Sequence, residues 1–317
     1  MNKMKFVVLG TSEFDIFCSN AIIDSGSQVV AMISIPQKAR PNNSADISLY
    51  AKQHDIPYHE LEDINSLESL DLLRNYAPDY ILGSWPKIIK VDVLNVPKNF
   101  CIGTHPTNLP FNRGRHPLHW IITLGISETK LSFFRMDEGI DAGDILLQVP
   151  FAISADNTIK DLNDKINHAA YEGTRKLCQN FHSQPSYPGV KQNHKLANYW
   201  RKKTPHDITL DLRMPANLII RIVRSFTLPY PCANLIFRTH TLKIKKAKVV
   251  KTALQAEELK RIEPGKIINA EENRIIVKVD NELIELVCLA QIPDELLSAK
   301  YIHPPSMYIN KHNIRFD

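Results

Sequence analysis

The chain has 317 residues, 44% of them hydrophobic and 23% charged, with 39 basic and 34 acidic side chains and a formal net charge of +5. That length allows two domains with separate cores, and the composition is that of an ordinary globular protein. The mild positive charge suits an anionic substrate but falls short of the concentrated basic face of a dedicated nucleic-acid binder. Cys18, Cys101, Cys178, Cys232 and Cys288 are scattered without a CxxC pair. They read as reduced thiols, not as a disulfide framework or a zinc site. The opening residues lack a secretory pattern and no apolar run reaches membrane-spanning length, so the expected location is cytoplasmic and no membrane partner is expected.

In chain order, Lys5 to Leu9 is a short apolar run that ends in a GTSEF turn at Gly10. Glu13 to Asp24 carries Phe14, Ile16, Phe17, Ala21 and Ile22 at helical spacing. A β-rich run over Gln28 to Ile33 follows, then helices over Ala45 to His54 and Ser66 to Tyr76. Buried strands are expected at Tyr80 to Gly83 and Ile102 to His105. Strands alternating with helices imply βαβ units and a mainly parallel, Rossmann-like sheet. Such sheets bind ligands beyond the carboxyl ends of their strands, where Gly10, Gly83 and His105 should converge. The GTSEF turn has neither GxGxxG nor a Walker lysine, so both phosphate cradles are missing.

Leu131 to Met136 and Ile145 to Ile153 read as strands flanking DEGIDAGD, and Asn157 to His182 as a long helix. Residues 183–204 are rich in proline and basic residues with little periodicity, which marks a linker. Beyond it lie a helix over Ala216 to Phe226 and short β-like runs at Ala233 to Phe237, Leu242 to Val250, Arg274 to Val279 and Leu283 to Ala290. Many short strands in so few residues suggest a small barrel. The residues from Arg238 to Lys248 are spaced like a solvated strand face.

Chemistry concentrates between Cys101 and Gln148. His105, Pro106, Pro110, Asn112, Arg113, Arg115, His116 and Pro117 crowd one stretch, THPTNLPFNRGRHP, followed by GIDAGD. Prolines stiffen a loop that bears His and Arg, as a preorganised site requires; a rigid surface loop is the alternative on composition alone. A satisfied core histidine and a turn aspartate are the bland readings of His105 and Asp141 taken singly.

The stretch resembles the folate-dependent formyltransferase family. Its pattern is Asn-x-His, a Leu-Pro-x-x-Arg-Gly loop and a downstream Asp-x-Gly-(Asp/Glu) turn. Here His105, Leu109-Pro110, Arg113-Gly114 and Ile140-Asp141-Ala142-Gly143-Asp144 match it. The resemblance covers about the first 180 residues specifically and the remainder loosely. It implies an α/β catalytic domain over 1–185, a linker over 186–205 and a smaller β-barrel-like domain over 206–317. It implies 10-formyltetrahydrofolate as co-substrate, with Gly83, Ser84, Trp85, Ile140 and Asp141 lining its pocket. His105 would stabilise the oxyanion formed when an amine attacks the formyl carbon, or shuttle the proton, and Asp141 would orient it. Thr107, Asn108, Arg113 and Arg115 are the candidate acceptor-binding residues, the arginines for phosphate. Trp85 and Trp120 are candidates for stacking or packing, Trp120 more in keeping with core, and Trp200 for a cleft or a domain seam.

The family's Asn position is Gly103 here, so an amide that would help hold the formyl oxygen is missing. Loss of one such donor costs on the order of 10²–10³ in rate. The expectation is that another group, Asn108, Asn112 or a water beside Gly103, replaces it and that Gly103→Asn is tolerated. Two acceptors suit the family. An amino-dideoxy nucleotide sugar of surface polysaccharide or lipopolysaccharide biosynthesis is favoured, because IPQKARPNNSAD offers only Lys38 and Arg40 where tRNA-dependent relatives carry a basic insertion. A methionyl-tRNA formyltransferase is the alternative, as are a non-catalytic folate or nucleotide-sugar binder and a formyl-folate hydrolase. A homodimer is a further possible partner state.

Overall fold

The computed structural model describes residues 3–41, 44–83, 85 and 87–307. The chain forms two compact units, the first from residues 1–117, 128–153 and 163–201, the second from 118–127, 154–162 and 202–317.

In the first unit the chain runs β1 (Lys5–Leu9), α1 (Glu13–Asp24), β2 (Gln28–Ser34), α2 (Ile47–Gln53), β3 (Tyr58–Glu60), α3 (Leu67–Tyr76), β4 (Tyr80–Gly83), α4 (Val91–Leu94) and β5 (Phe100–His105). It continues with β6 (Arg113–Gly114), β7 (Glu128–Arg135), β8 (Ile145–Ala152), α6 (Ile159–Ser183) from its second turn on, and β9 (Tyr199–Trp200), while α5 (Pro117–Leu124) counts with the second unit beyond Pro117. Among the described residues a seven-stranded sheet has the order β3-β2-β1-β4-β5-β7-β8. The first five strands are mutually parallel; β7 runs antiparallel beside β5, and β8 antiparallel beside β7.

Both faces of this sheet are covered, which is why β1 reads as an unbroken apolar run and not as an alternation. Val7 and Leu9 point to one side, into a core with Ala31, Ile33 and Ile81 and with Leu70 and Leu73 of α3. Phe6 points to the other. It stacks on Tyr80 at 5.1 Å between ring centroids, and Tyr80 stacks on Phe181 of α6 at 4.4 Å. Helix starts follow local chemistry: Asp46 accepts from the amide of Leu49 ahead of α2, and Ser66 from that of Ser69 ahead of α3.

The stretch expected to be a linker is built into this unit as far as residue 201. Within it β9 pairs in parallel with β6, Arg113 opposite Tyr199 and Gly114 opposite Trp200. Two-residue strands carry no periodicity, so the pairing leaves no trace in the pattern. The short elements β3 and α4 are silent for the same reason.

The second unit holds α7 (Ala216–Ser225), β10 (Ala233–Phe237), β11 (His240–Val249), α8 (Ala256–Lys260), β12 (Ile267–Glu271), β13 (Arg274–Val279) and β14 (Glu282–Cys288). Its antiparallel sheet has the order β10-β11-β14-β13-β12. No ladder joins β10 to β12 among the described residues, so the barrel-like expectation takes the form of an open sheet. Ile219, Ile222 and Val223 of α7 enter a core with Leu235, Ile244, Ile275, Val277 and Leu286. Each such side chain contributes about 1.5–3 kcal/mol on burial. Residues 118–127 belong here too: His119 stacks on Phe226 at 4.1 Å and its Nδ1 lies 2.6 Å from the Ser225 carbonyl oxygen. Trp120 is half-buried, with the buried Lys203 ammonium 3.7 Å from its ring centroid. No helix among the described residues is long and apolar enough to cross a membrane.

Candidate active site

Because β1, β4 and β5 are parallel neighbours, their carboxyl ends place Gly10, Gly83 and His105 along one edge of the sheet. Gly83 is demanded by the backbone. Its φ is +144°, and a Cβ there would meet the Leu9 carbonyl oxygen at 1.9 Å, so only glycine lets β4 finish beside β1. Gly10 makes room for Asp15, whose carboxylate would overlap a Cβ at about 2.0 Å. Asp15 is buried and accepts from the amides of Thr11 and Ser12 and from the Ser12 hydroxyl. Burial pushes its carboxyl up to about 6 from 3.8, outweighing those donors. Its second oxygen has no hydrogen-bond partner among the described residues.

His105 closes β5 and is buried. Its Nε2 lies 2.8 Å from the Asn112 carbonyl oxygen, which can only accept, so Nε2 carries a hydrogen. Its Nδ1 lies 3.5 Å from Asp141 Oδ2. The same Asp141 oxygen accepts the Gly114 amide at 2.9 Å. Two distant segments of sequence thus meet on opposite nitrogens of one ring.

The loop between His105 and β6 is rigid by its own bonds as well as its prolines. Thr107 is fully buried and donates to the carbonyl of Phe111, while its own carbonyl accepts from Ser132. Gln148 donates to the Leu109 carbonyl. Asn112 has a φ of +62°, and Asp141 one of +49°. Asparagine and aspartate are the non-glycine residues that best tolerate left-handed backbone, which is why these types stand at both positions.

Several expected roles change. Thr107, expected at the acceptor, commits its hydroxyl to its own loop. Arg113, expected as a phosphate contact, is only 1% exposed. Its guanidinium donates to Gln192 at 2.7 Å and to the Tyr199 hydroxyl at 3.0 Å, and lies 3.3 Å from His194 Nδ1. Arg115 is exposed, and its amide bonds the Trp200 carbonyl. Asn108 is half-buried, its carbonyl accepting from Phe111. Ile140 is 59% exposed beside Asp141. Trp85 packs against the core around Val7 and Leu9 while its indole N–H is buried with no hydrogen-bond partner among the described residues. Ser84 lies outside the described residues.

Gly103 sits directly opposite Phe134 across β5 and β7. A Cβ there would meet the Phe134 ring at 2.5 to 3.0 Å. The expectation that asparagine is tolerated at 103 therefore conflicts with the structure: the buried ring occupies that space, and an amide side chain would have to displace it. An aromatic folded over a cross-strand glycine is also a packing device in its own right.

Sequence reasoning missed Gln192 and Asn198, both in the stretch expected to be a linker. Gln192 donates to the carbonyls of Asp141 and Gly143. Asn198 accepts the Asn112 amide, donates to its side chain, and accepts the Arg113 amide through its own carbonyl. Neither lies in a recognisable motif; only tertiary pairing reveals them.

The chain matches the model of the "Formyl transferase" family over residues 4–176 and that of the "Formyl transferase, C-terminal domain" over residues 202–300. It belongs to this family of formyl-transferring enzymes. A methionyl-tRNA formyltransferase of Alkaliphilus oremlandii is 29% identical over 291 residues, covering 89% of this chain and 90% of that one. One from Pelotomaculum thermopropionicum is 30% identical over 281 residues, covering 86% and 87%. The fold is shared with the N-formyltransferase of Helicobacter canadensis, solved with folinic acid and dTDP-3-aminofucose. The TM-score is 0.65 at 17% identity, covering 90% of this chain and 99% of that one.

Proposed function

We propose that this chain moves the formyl group of 10-formyltetrahydrofolate onto a primary amine, with His105 handling the proton and Asp141 as its partner. The observation that carries this reading is the two-sided hold on His105, Nε2 on the Asn112 carbonyl and Nδ1 facing Asp141. In the neutral ring the hydrogen sits on Nε2, so Nδ1 is the basic nitrogen. It takes the proton that the attacking amine must lose, and the imidazolium so formed lies 3.5 Å from the Asp141 carboxylate. The same proton then passes to the departing folate nitrogen, so no net proton is gained or lost by the protein. Gly103 supplies no side-chain donor to the oxyanion, so the nearby positive charge of the imidazolium stands in for one. The unpartnered indole N–H of Trp85 and the exposed Ile140 suit a flat heteroaromatic co-substrate near this edge.

For the acceptor, methionyl-tRNA has the stronger support, because relatives so named align across both units of this chain. A polyanionic acceptor also suits the second unit. There a cavity of about 630 Å³ is lined by Arg224, Lys245, Lys246, Lys248 and Arg274 against a single carboxylate, Glu285. An amino sugar nucleotide is the second reading, favoured by one specific observation. The only basic residues between β2 and α2 are already neutralised within the chain, Lys38 by Glu62 at 3.2 Å and Arg40 by Glu60.

Purified protein incubated with 10-formyltetrahydrofolate and either methionyl-tRNA or a panel of amino-dideoxy nucleotide sugars tests this, with products read by mass spectrometry. Formylated methionyl-tRNA, abolished in His105→Asn, is the expected outcome. Formylation of a sugar alone moves the acceptor to the second reading. Release of formate without an amine would defeat the transfer reading and leave a hydrolase.

A further inference from the structure

From the same geometry we infer that Gln192 is a positioning residue for catalysis, acting through Asp141; this rests on the reading of His105 and Asp141 above. Gln192 is 6% exposed and lies 51 and 49 residues beyond the two turn residues it touches. Its amide nitrogen has two hydrogens, and both are used. One goes to the Asp141 carbonyl at 2.9 Å, the other to the Gly143 carbonyl at 2.7 Å. Its amide oxygen accepts from buried Arg113 at 2.7 Å.

These three bonds do something specific. Asp141 has a φ of +49°, a left-handed conformation that aspartate tolerates but does not prefer over extended or helical backbone, so bonds to its peptide groups help select it. The Gln192 amide ties the carbonyl of Asp141 itself and the one two residues on, so it pins the backbone on which the carboxylate is mounted. Arg113 fixes the amide's orientation in turn: the guanidinium can only donate, so the oxygen must face it and the NH₂ must face the turn. Arg113 also belongs to β6, whose Gly114 amide holds the Asp141 carboxylate at 2.9 Å. Backbone and side chain of Asp141 are therefore referenced to one strand, and Gln192 is the link that closes the loop. Without it the carboxylate keeps its bond to Gly114 but loses the frame that sets its 3.5 Å separation from His105 Nδ1.

Two variants separate this role from that of a partner for a buried cation. Gln192→Glu keeps an acceptor for Arg113 and loses both donations to the turn. Gln192→Met keeps the volume and loses all three bonds. Each would be compared with wild type for formyl transfer to whichever acceptor wild type uses, for hydrogen–deuterium exchange over residues 138–145, and for thermal melting as the control of folding. Misplacement of a reacting group by about 1 Å costs on the order of 10²-fold in rate. Both variants should therefore lose roughly 10- to 100-fold in kcat, with KM for the formyl donor changed little, and both should exchange faster at 138–145. If Gln192→Glu matches wild type in kcat and exchange while Gln192→Met does not, the residue serves only Arg113 and the inference is overturned. If wild type transfers no formyl group at all, the reading of His105 fails. The exchange data then decide this proposal alone: unaltered protection at 138–145 in Gln192→Met overturns it, and faster exchange upholds the clamp.

Discussion

His105 and Asp141 stand 36 positions apart in sequence, and each of the two ring nitrogens answers to a different part of the chain. The pair makes a sharp prediction at residue scale. His105→Asn removes the proton-accepting nitrogen and should reduce turnover by on the order of 10²–10⁴-fold in single-turnover assays. Gly103 makes a second. Gly103→Asn alone should lower the melting temperature, because the new side chain meets Phe134 within 3.0 Å, whereas Gly103→Asn combined with Phe134→Ala should recover part of the loss. Equal melting of the single variant and wild type would show that the ring moves freely aside. Asp15 supplies a third, in pH. Its folded-state value is raised from 3.8 to about 6, so folding favours the protonated form. The stability it contributes is fully present below about pH 4 and is lost as pH rises through about 6. Asp15→Asn keeps an acceptor for the Thr11 and Ser12 amides without the buried charge. The variant should gain on wild type by about 2–3 kcal/mol between pH 4 and pH 7, read from denaturant melts.

At the scale of elements, the pairing of β6 with β9 decides whether the site is assembled. It brings Asn198 to Asn112 and sets the Gly114 amide on Asp141. Gly114 has a φ of +105°, and a Cβ there would meet the Trp200 carbonyl oxygen at 2.4 Å. Gly114→Ala should therefore open the pairing. The expected signature is faster proteolysis between residues 190 and 201 together with a loss of activity, while the seven-stranded sheet, which does not depend on β9, keeps its circular dichroism. Loss of activity without any change in cleavage would place the fault at Asp141 instead.

At the scale of the whole molecule, acceptor choice and salt response go together. A tRNA acceptor neutralises several basic side chains, so its KM should climb steeply as salt rises from about 50 to 200 mM, and reversing charge at Lys246 and Arg274 should flatten that climb. A nucleotide sugar offers two phosphates, and its KM should respond weakly to salt and not at all to those two substitutions.

How much of this was legible depended on the range of the forces involved. Buried parallel strands need apolar runs and their helices need a 3.6-residue period, so β1, β4, β5, α1 and α3 could be placed from local pattern with their bounds nearly right. His105, Asp141 and the Leu109-Pro110 to Gly114 loop stood out because the chemistry confines those residue types to a short span. What pattern could not contain is any interaction between segments that carry no period of their own. The burial of Arg113, the ring of Phe134 over Gly103 and the hold of Gln192 on the Asp141 turn all arise from pairings across tens of residues. The sequence by itself determined the family, the sheet and the two groups that face each other at its edge. Only the tertiary structure decided which neighbours hold them there, because a hydrogen bond between distant residues is specified by where the chain returns in space and not by what stands next to it in line.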